Sequence, residues 1–231
     1  MADFVVYGTP VSPFVRKVEV VLKNQGVDYD LEMINIMAMP DWFLEISPAR
    51  RIPVLRDRTL GEDGVQGTIA DSSAICLYLD RKLNAGLYGT SDFDAGRVAW
   101  IEEYADTELA GSVGMHVFRP ILFPRMAGKD SDLDAARKGF NEILPTRFDY
   151  LESALDGREY FVGDAFTLAD IAVGTQMAQL SLVTLPIDAA RWPALAAHTE
   201  AIKARTGFRE SLEVCNKMLG KAIPEKIDLS A

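Results

Sequence analysis

Ser12-Pro13-Phe14-Val15-Arg16-Lys17 follows the apolar run Phe4-Val5-Val6-Tyr7 and opens an amphipathic segment. A Ser ahead of a Pro is a helix-start pattern: the Ser oxygen caps exposed N–H groups, and proline at the first helical position forfeits no hydrogen bond. A strand that feeds a helix N-terminus also makes an anion site, because free N–H donors and the positive end of the helix dipole coincide there. An anion held there would meet the Ser12 hydroxyl as one more donor. A second helix start of this kind lies at Asp71-Ser72, ahead of Ala74-Ile75, where either side chain could be the cap. Between the two, Arg50-Arg51-Ile52-Pro53-Val54-Leu55 carries a pair of cations into a β-rich run. Its proline lacks an N–H and suits a strand entry or an edge.

Other chemistries find little support. His116 and His198 are the only histidines, there is no CxxC or HExxH, and no metal site is expected. Neither a phosphate-binding P-loop nor a G-x-S-x-G element occurs. Cys76, set among Ile75, Leu77 and Leu79, reads as a small buried hydrophobe. With Cys215 it forms no disulfide framework, which fits a reducing, cytoplasmic setting. The net charge of −10 disfavours nucleic acid and anionic membrane surfaces as partners. No apolar stretch has the length of a membrane span, and the chain enters a strand directly, without a leader-like segment.

These residues need elements to hold them. Phe4–Tyr7 reads as a strand and Pro13–Asn24 as a helix closed by Gly26. Residues 28–36 alternate apolar and acidic side chains, and a short helix over 41–46 stops before Pro48. Ile52–Leu55 and Val65–Ile69 flank a Gly- and Asp-rich turn as a hairpin, and Ser72–Leu83 is helical again. The resulting order is β-α-β-α-β-β-α, with a parallel first pair and an antiparallel last pair. After a Gly-rich linker at 84–90 the pattern is helical throughout: roughly 92–117, 132–155, 168–182, 192–205 and 207–219. Thr167 and Asp170 form a capping box at the head of the third of these helices. The expected organisation is an α/β domain over 1–83, a linker over 84–90 and an all-helical domain over 91–231.

With Phe166-Thr167-Leu168-Ala169-Asp170-Ile171 added, the three N-terminal motifs line up in an order that resembles the cytosolic glutathione transferases of the serine type. The SPF start is similar to the tau-like branch. The resemblance implies a thioredoxin-like N-terminal domain, an all-α C-terminal domain, glutathione as co-substrate, a cytoplasmic homodimer and a detoxifying transfer to a small apolar electrophile. It implies that Ser12 activates the thiol, that Ile52 before a cis Pro53 pairs with the tripeptide backbone, and that Ser72 binds the γ-glutamyl carboxylate while Asp71 faces the amino group. Arg51, or its neighbour Arg50, would meet the glycyl carboxylate. The loop Ile36–Asp41 has no basic residue, although many relatives place one nearby. Tyr7 competes with Ser12, since other branches use a tyrosine at the end of the first strand. Relatives with Cys at the Ser12 position form mixed disulfides; serine cannot. Val11 and Phe14 would line one side of the second-substrate pocket, with Tyr104, Glu108, Met115 and His116 on the other. Arg81, Arg97 and Trp100 would lie near the dimer interface. Two other readings use the same site: glutathione-dependent peroxide reduction or dehalogenation, and a transferase-like binding protein without turnover.

Overall fold

The computed structural model describes residues 2–229; Met1 and Ser230–Ala231, the outermost residues of the two expected domains, lie outside it. The described residues form two compact units, one ending at Gly86 and the other beginning at Leu87.

The first unit runs β1 (Phe4–Gly8), α1 (Pro13–Asn24), β2 (Tyr29–Met33), α2 (Asp41–Ile46), β3 (Val54–Asp57), β4 (Thr68–Ile69) and α3 (Ser72–Leu83). The sheet order is β2-β1-β3-β4. β1 is parallel to β2 and antiparallel to β3, and β3 is antiparallel to β4. This is the thioredoxin-like arrangement. Alternate residues of β1 serve opposite faces. Val5 and Tyr7 join Ile34, Phe43, Ile46 and Val54 in one core cluster. On the other face α1 lies directly on the strand end, since a methyl on Gly8 would sit 2.5 Å from a Val15 methyl. Val15, Val18, Val21 and Leu22 are fully buried there.

The hairpin is shorter than the apolar pattern predicts. Strand pairing starts at Val54 rather than Ile52, and β4 keeps only Thr68 and Ile69 of Val65–Ile69. Buried Arg56 accounts for the second difference. It donates to the carbonyls of Gly61, Gly64 and Gln66 at 3.2, 2.7 and 3.0 Å, drawing these residues into a turn. Gly67, at φ +71°, is so close to the Asp57 carbonyl that an added Cβ would stand 2.6 Å from it.

Asp57, at the end of β3, is 1 % exposed and ties the sheet to α3. Its carboxylate accepts from Tyr78, Lys82 and the Thr59 N–H and hydroxyl. Burial alone would push this carboxyl up, but the bonds from Lys82, Thr59 and Tyr78 outweigh it and hold the group at about 2. The same bond raises Lys82 above the ordinary lysine value.

The second unit is all helical: α4 (Asp92–Tyr104), α5 (Arg119–Met126), α6 (Leu133–Lys138), α7 (Leu144–Leu155), α8 (Leu168–Leu182), α9 (Pro193–Ala204) and α10 (Thr206–Leu219). The helices expected at 92–117 and 132–155 are each interrupted by wider π turns, Ala105–Leu109 and Gly111–Phe118 in the first and Gly139–Ile143 in the second. The first also runs on to Met126. A π stretch ends two residues before Pro120 and another two before Pro145. A proline inside a regular helix lacks one N–H and strikes a carbonyl of the preceding turn; a widened turn moves that carbonyl aside. The two π stretches abut, since a methyl on Gly139 would stand 2.3 Å from the His116 carbonyl oxygen.

α8 is almost wholly buried. The capping box at its head does more than cap. Fully buried Asp170 accepts from the Thr167 N–H at 2.8 Å and hydroxyl at 3.0 Å, and also from the Phe161 N–H at 3.0 Å. His198 of α9 approaches the same carboxylate at 3.0 Å. One carboxylate thus joins α8, the loop before it and α9. No described helix is long and apolar enough to cross a membrane.

Two outcomes follow. Asp57 titrates lower folded than unfolded, so its stabilisation of about 2 kcal/mol is present above pH 4 and is lost as pH falls from about 4 to 2. Urea unfolding of Asp57→Asn should therefore show a weaker pH dependence in that window. In thermal unfolding, Thr167→Ala should cost about 1 kcal/mol. Asp170→Ala, which strands several buried donors, should cost about 3 kcal/mol or more.

Candidate active site

Ser12 is the N-cap of α1, with extended backbone at φ −70° and ψ 127°. Its N–H is taken by the Thr9 carbonyl at 3.0 Å, and its Oγ accepts a long bond from the Val15 N–H at 3.5 Å. The hydroxyl is engaged only as an acceptor among the described residues, so its proton is available for donation. Proline at N1 and the absence of acidic residues from the first turn leave this helix end electropositive.

The second helix start resolves the choice between Asp71 and Ser72. Asp71 is the cap: its Oδ1 accepts from the N–H groups of Ser73 and Ala74 at 3.0 and 3.1 Å. Ser72 is the first helical residue, and it is buried. Neither its N–H nor its hydroxyl has a partner among the described residues. An N–H and an O–H at a helix N-terminus form a carboxylate receptor in miniature. The second carboxylate oxygen of Asp71 has no partner among the described residues.

The two helix starts are joined through a buried cation. Lys17, one turn into α1 and 0 % exposed, donates from Nζ to the Ser73 hydroxyl at 3.1 Å. Its neighbour Arg16 is equally buried and donates to the Pro10 carbonyl at 3.2 Å, bracing the loop that delivers Ser12. Two adjacent fully buried cations are unusual. Neither stood out in the sequence, where a basic pair in an amphipathic helix reads as its solvent face.

Arg51 and Arg50 are exposed, and Arg50 takes a left-handed conformation at φ 54°. Buried Ser47 clamps the Arg51 main chain in both directions, accepting from its N–H at 3.1 Å and donating to its carbonyl at 2.7 Å. The Ile52–Pro53 bond is cis. The main-chain N–H and carbonyl of Ile52 have no partner among the described residues.

Tyr7 is a core residue. It is 6 % exposed, its ring meets Trp42 edge-on at 5.6 Å, and its hydroxyl accepts from the Arg56 Nε at 3.2 Å. Val11 and Phe14 are half-buried on either side of Ser12. Tyr104, Met115 and His116 belong to the second unit, the last two being exposed. The Tyr104 ring packs at 4.4 Å from Tyr150, and burial pushes its hydroxyl above the usual tyrosine value. Glu108 pairs with Arg147 at 3.0 Å, and exposed Trp100 donates to the Tyr150 hydroxyl at 2.6 Å.

Residues 6–85 match the model for the glutathione S-transferase N-terminal domain, and residues 117–213 match that for the C-terminal domain. Together these take in most of the chain. The chain belongs to the glutathione S-transferase family. Glutathione S-transferase 3 of Zea mays is 29% identical over 225 residues, covering 92% of this chain and 94% of the relative. Glutathione S-transferase D6 of Drosophila melanogaster is 26% identical over 238 residues, covering 96% and 99%. The crystal structure of a glutathione S-transferase from Rhodospirillum rubrum F11 superposes with a TM-score of 0.77 at 25% identity, over 90% of this chain and 91% of that one. The thioredoxin-like and helical units are thus those of a glutathione transferase.

In this transferase Arg56 links Tyr7 to the turn leading into β4 and the start of α3. Arg56→Met would strand three carbonyls and a phenol, and should lower stability by about 3 kcal/mol in urea unfolding. Tyr7→Phe deletes a single acceptor and should cost about 1 kcal/mol.

Proposed function

We propose that this chain is a serine-type, tau-like glutathione transferase that joins the glutathione sulfur to an electrophilic carbon of a small apolar molecule. The observation that carries this reading is one of juxtaposition. Two helix starts, each with a hydroxyl proton that has no acceptor, belong to one unit and are tied by the Lys17–Ser73 bond. A ligand with a carboxylate at one end and a thiolate farther along suits such a pair.

In this reading the γ-glutamyl carboxylate accepts from the Ser72 N–H and hydroxyl, and the ligand's amino group meets Asp71. The Ile52 main chain pairs with the tripeptide backbone, and Arg51 meets the glycyl carboxylate. The sulfur lies at the start of α1 and accepts the Ser12 hydroxyl proton in a hydrogen bond.

The magnitudes suffice. An ordinary thiol titrates near 8.5, so only a few per cent is thiolate at neutral pH. Making thiolate the major form requires a shift of about two units, or roughly 2.7 kcal/mol. A hydrogen bond to a charged acceptor contributes about 1.5–3 kcal/mol, and the helix terminus about 0.3–1 kcal/mol. No side chain need take the proton itself. Ser12 is favoured over Tyr7 because Tyr7 is buried in the core, with its hydroxyl held against Arg56, whereas Ser12 is only half-buried and stands at the electropositive start of α1.

The thiol proton passes to solvent water; the thiolate sulfur then forms a C–S bond with the electrophilic carbon as the bond to a leaving group breaks and that group departs with the electron pair. The electrophile packs against Val11 and Phe14, with Tyr104, Met115 and His116 as the candidates from the helical domain. The protein works as a cytoplasmic homodimer, with residues 1–83 binding glutathione, residues 84–90 as linker and residues 91–231 as the helical domain for the second substrate.

Ultraviolet titration of bound glutathione tests the central claim. The wild-type thiol should titrate about two units below the free one, and Ser12→Ala should reverse most of that shift while changing affinity only a few-fold. Ser72→Ala should weaken binding roughly 10- to 100-fold. An unshifted thiol on a tightly bound ligand would make the protein a binder, and loss of turnover in Tyr7→Phe with an active Ser12→Ala would move the role to Tyr7.

A further inference from the structure

β2 is an outer strand of the sheet, paired among the described residues with β1 alone. The Ile34 N–H bonds inward to the Gly8 carbonyl at 3.1 Å. By strand alternation the main-chain groups of Leu31 and Met33 therefore point outward. No loop or side chain among the described residues satisfies them.

The side chains around this edge have a definite chemistry. Met33 is 53 % exposed, Ile36 42 % and Met37 86 %. Residues 24–49 contain five carboxylates and no Lys, Arg or His. Asp30 is neutralised by Arg58 at 2.5 Å, while Asp28, Glu32, Asp41 and Glu45 are exposed. Carboxylates along an edge repel a second copy of the same edge, which is one way sheets avoid self-pairing. They attract a strand of opposite charge. Flexible methionines beside them suit apolar contacts of varied shape.

We propose that the outer edge of β2 and the loop after it dock an extended segment of a partner protein in which basic and apolar residues alternate. The segment adds a fifth strand: its backbone pairs with Leu31 and Met33, its basic side chains meet Asp28 and Glu32, and its apolar ones rest on Met33, Ile36 and Met37. The proposal is independent of the transferase reading, since it uses none of the residues assigned to glutathione.

The probe is a short fluorescein-labelled peptide of alternating lysine and valine, titrated into the full chain by fluorescence anisotropy. Saturable binding is expected, with slowed hydrogen exchange at the Leu31 and Met33 amides. The double variant Asp28→Lys/Glu32→Lys should weaken binding by about tenfold or more. Glu62→Lys/Asp63→Lys, with the same net charge but altered in the β3–β4 turn, should stay within about twofold of wild type. Leu31→Pro removes an outward N–H without breaking the ladder to β1, and should abolish binding; if it does not fold, the charge reversals decide. Equal weakening by both double variants, unprotected amides, equal binding of a glutamate–valine peptide, or dimerisation through β2 would each overturn the proposal.

Discussion

Everything at the candidate site depends on how α1 sits on the sheet and against α3. The helix lies so close to β1 that Gly8 has no space for a side chain opposite Val15, and its buried Lys17 reaches the second residue of α3. Burying an ammonium is costly unless it is hydrogen-bonded, so that contact restricts where α3 can begin. The starts of α1 and α3 are tied within one unit because α1 cannot slide or rotate without exposing its valine face and breaking the Lys17 bond.

Buried polar groups recur as joints in both units. Arg56 gathers three carbonyls and the Tyr7 phenol, fixing the turn that leads to β4 and α3. Asp57 gathers Tyr78, Lys82 and Thr59, fixing the far end of the sheet to the body of α3. In the helical unit Asp170 does the same for α8, α9 and the loop between α7 and α8. Each joint is directional where apolar packing is not, and each leaves several groups unsatisfied if its centre is removed. Both units therefore combine an apolar core with a few polar points that fix the registration of neighbouring elements.

The motifs that speak most clearly in the sequence are local ones. Ser12-Pro13 at the start of α1, Asp71-Ser72 at the start of α3 and Thr167-x-x-Asp170 at the start of α8 are legible because capping is settled within four residues. The strand–helix order of the first unit was legible for the same reason, period by period. The π turns were not: they answer to Pro120 and Pro145 and to the close approach of Gly139 to His116, a contact between distant segments. Val65–Gly67 reads as strand by composition but is held in a turn by Arg56, whose burial no local pattern announces.

By itself, then, the sequence determined the element order, the three helix starts and the family they resemble, because propensity, capping and hydrophobic period act over short spans. Only the tertiary structure decided that Asp71 rather than Ser72 caps α3, that the Tyr7 hydroxyl is taken up in the core, and that Arg16 and Lys17 point inward. Those outcomes rest on which groups meet across the packed layers and on the cost of leaving a buried polar atom without a partner, quantities that exist only once the chain has closed on itself.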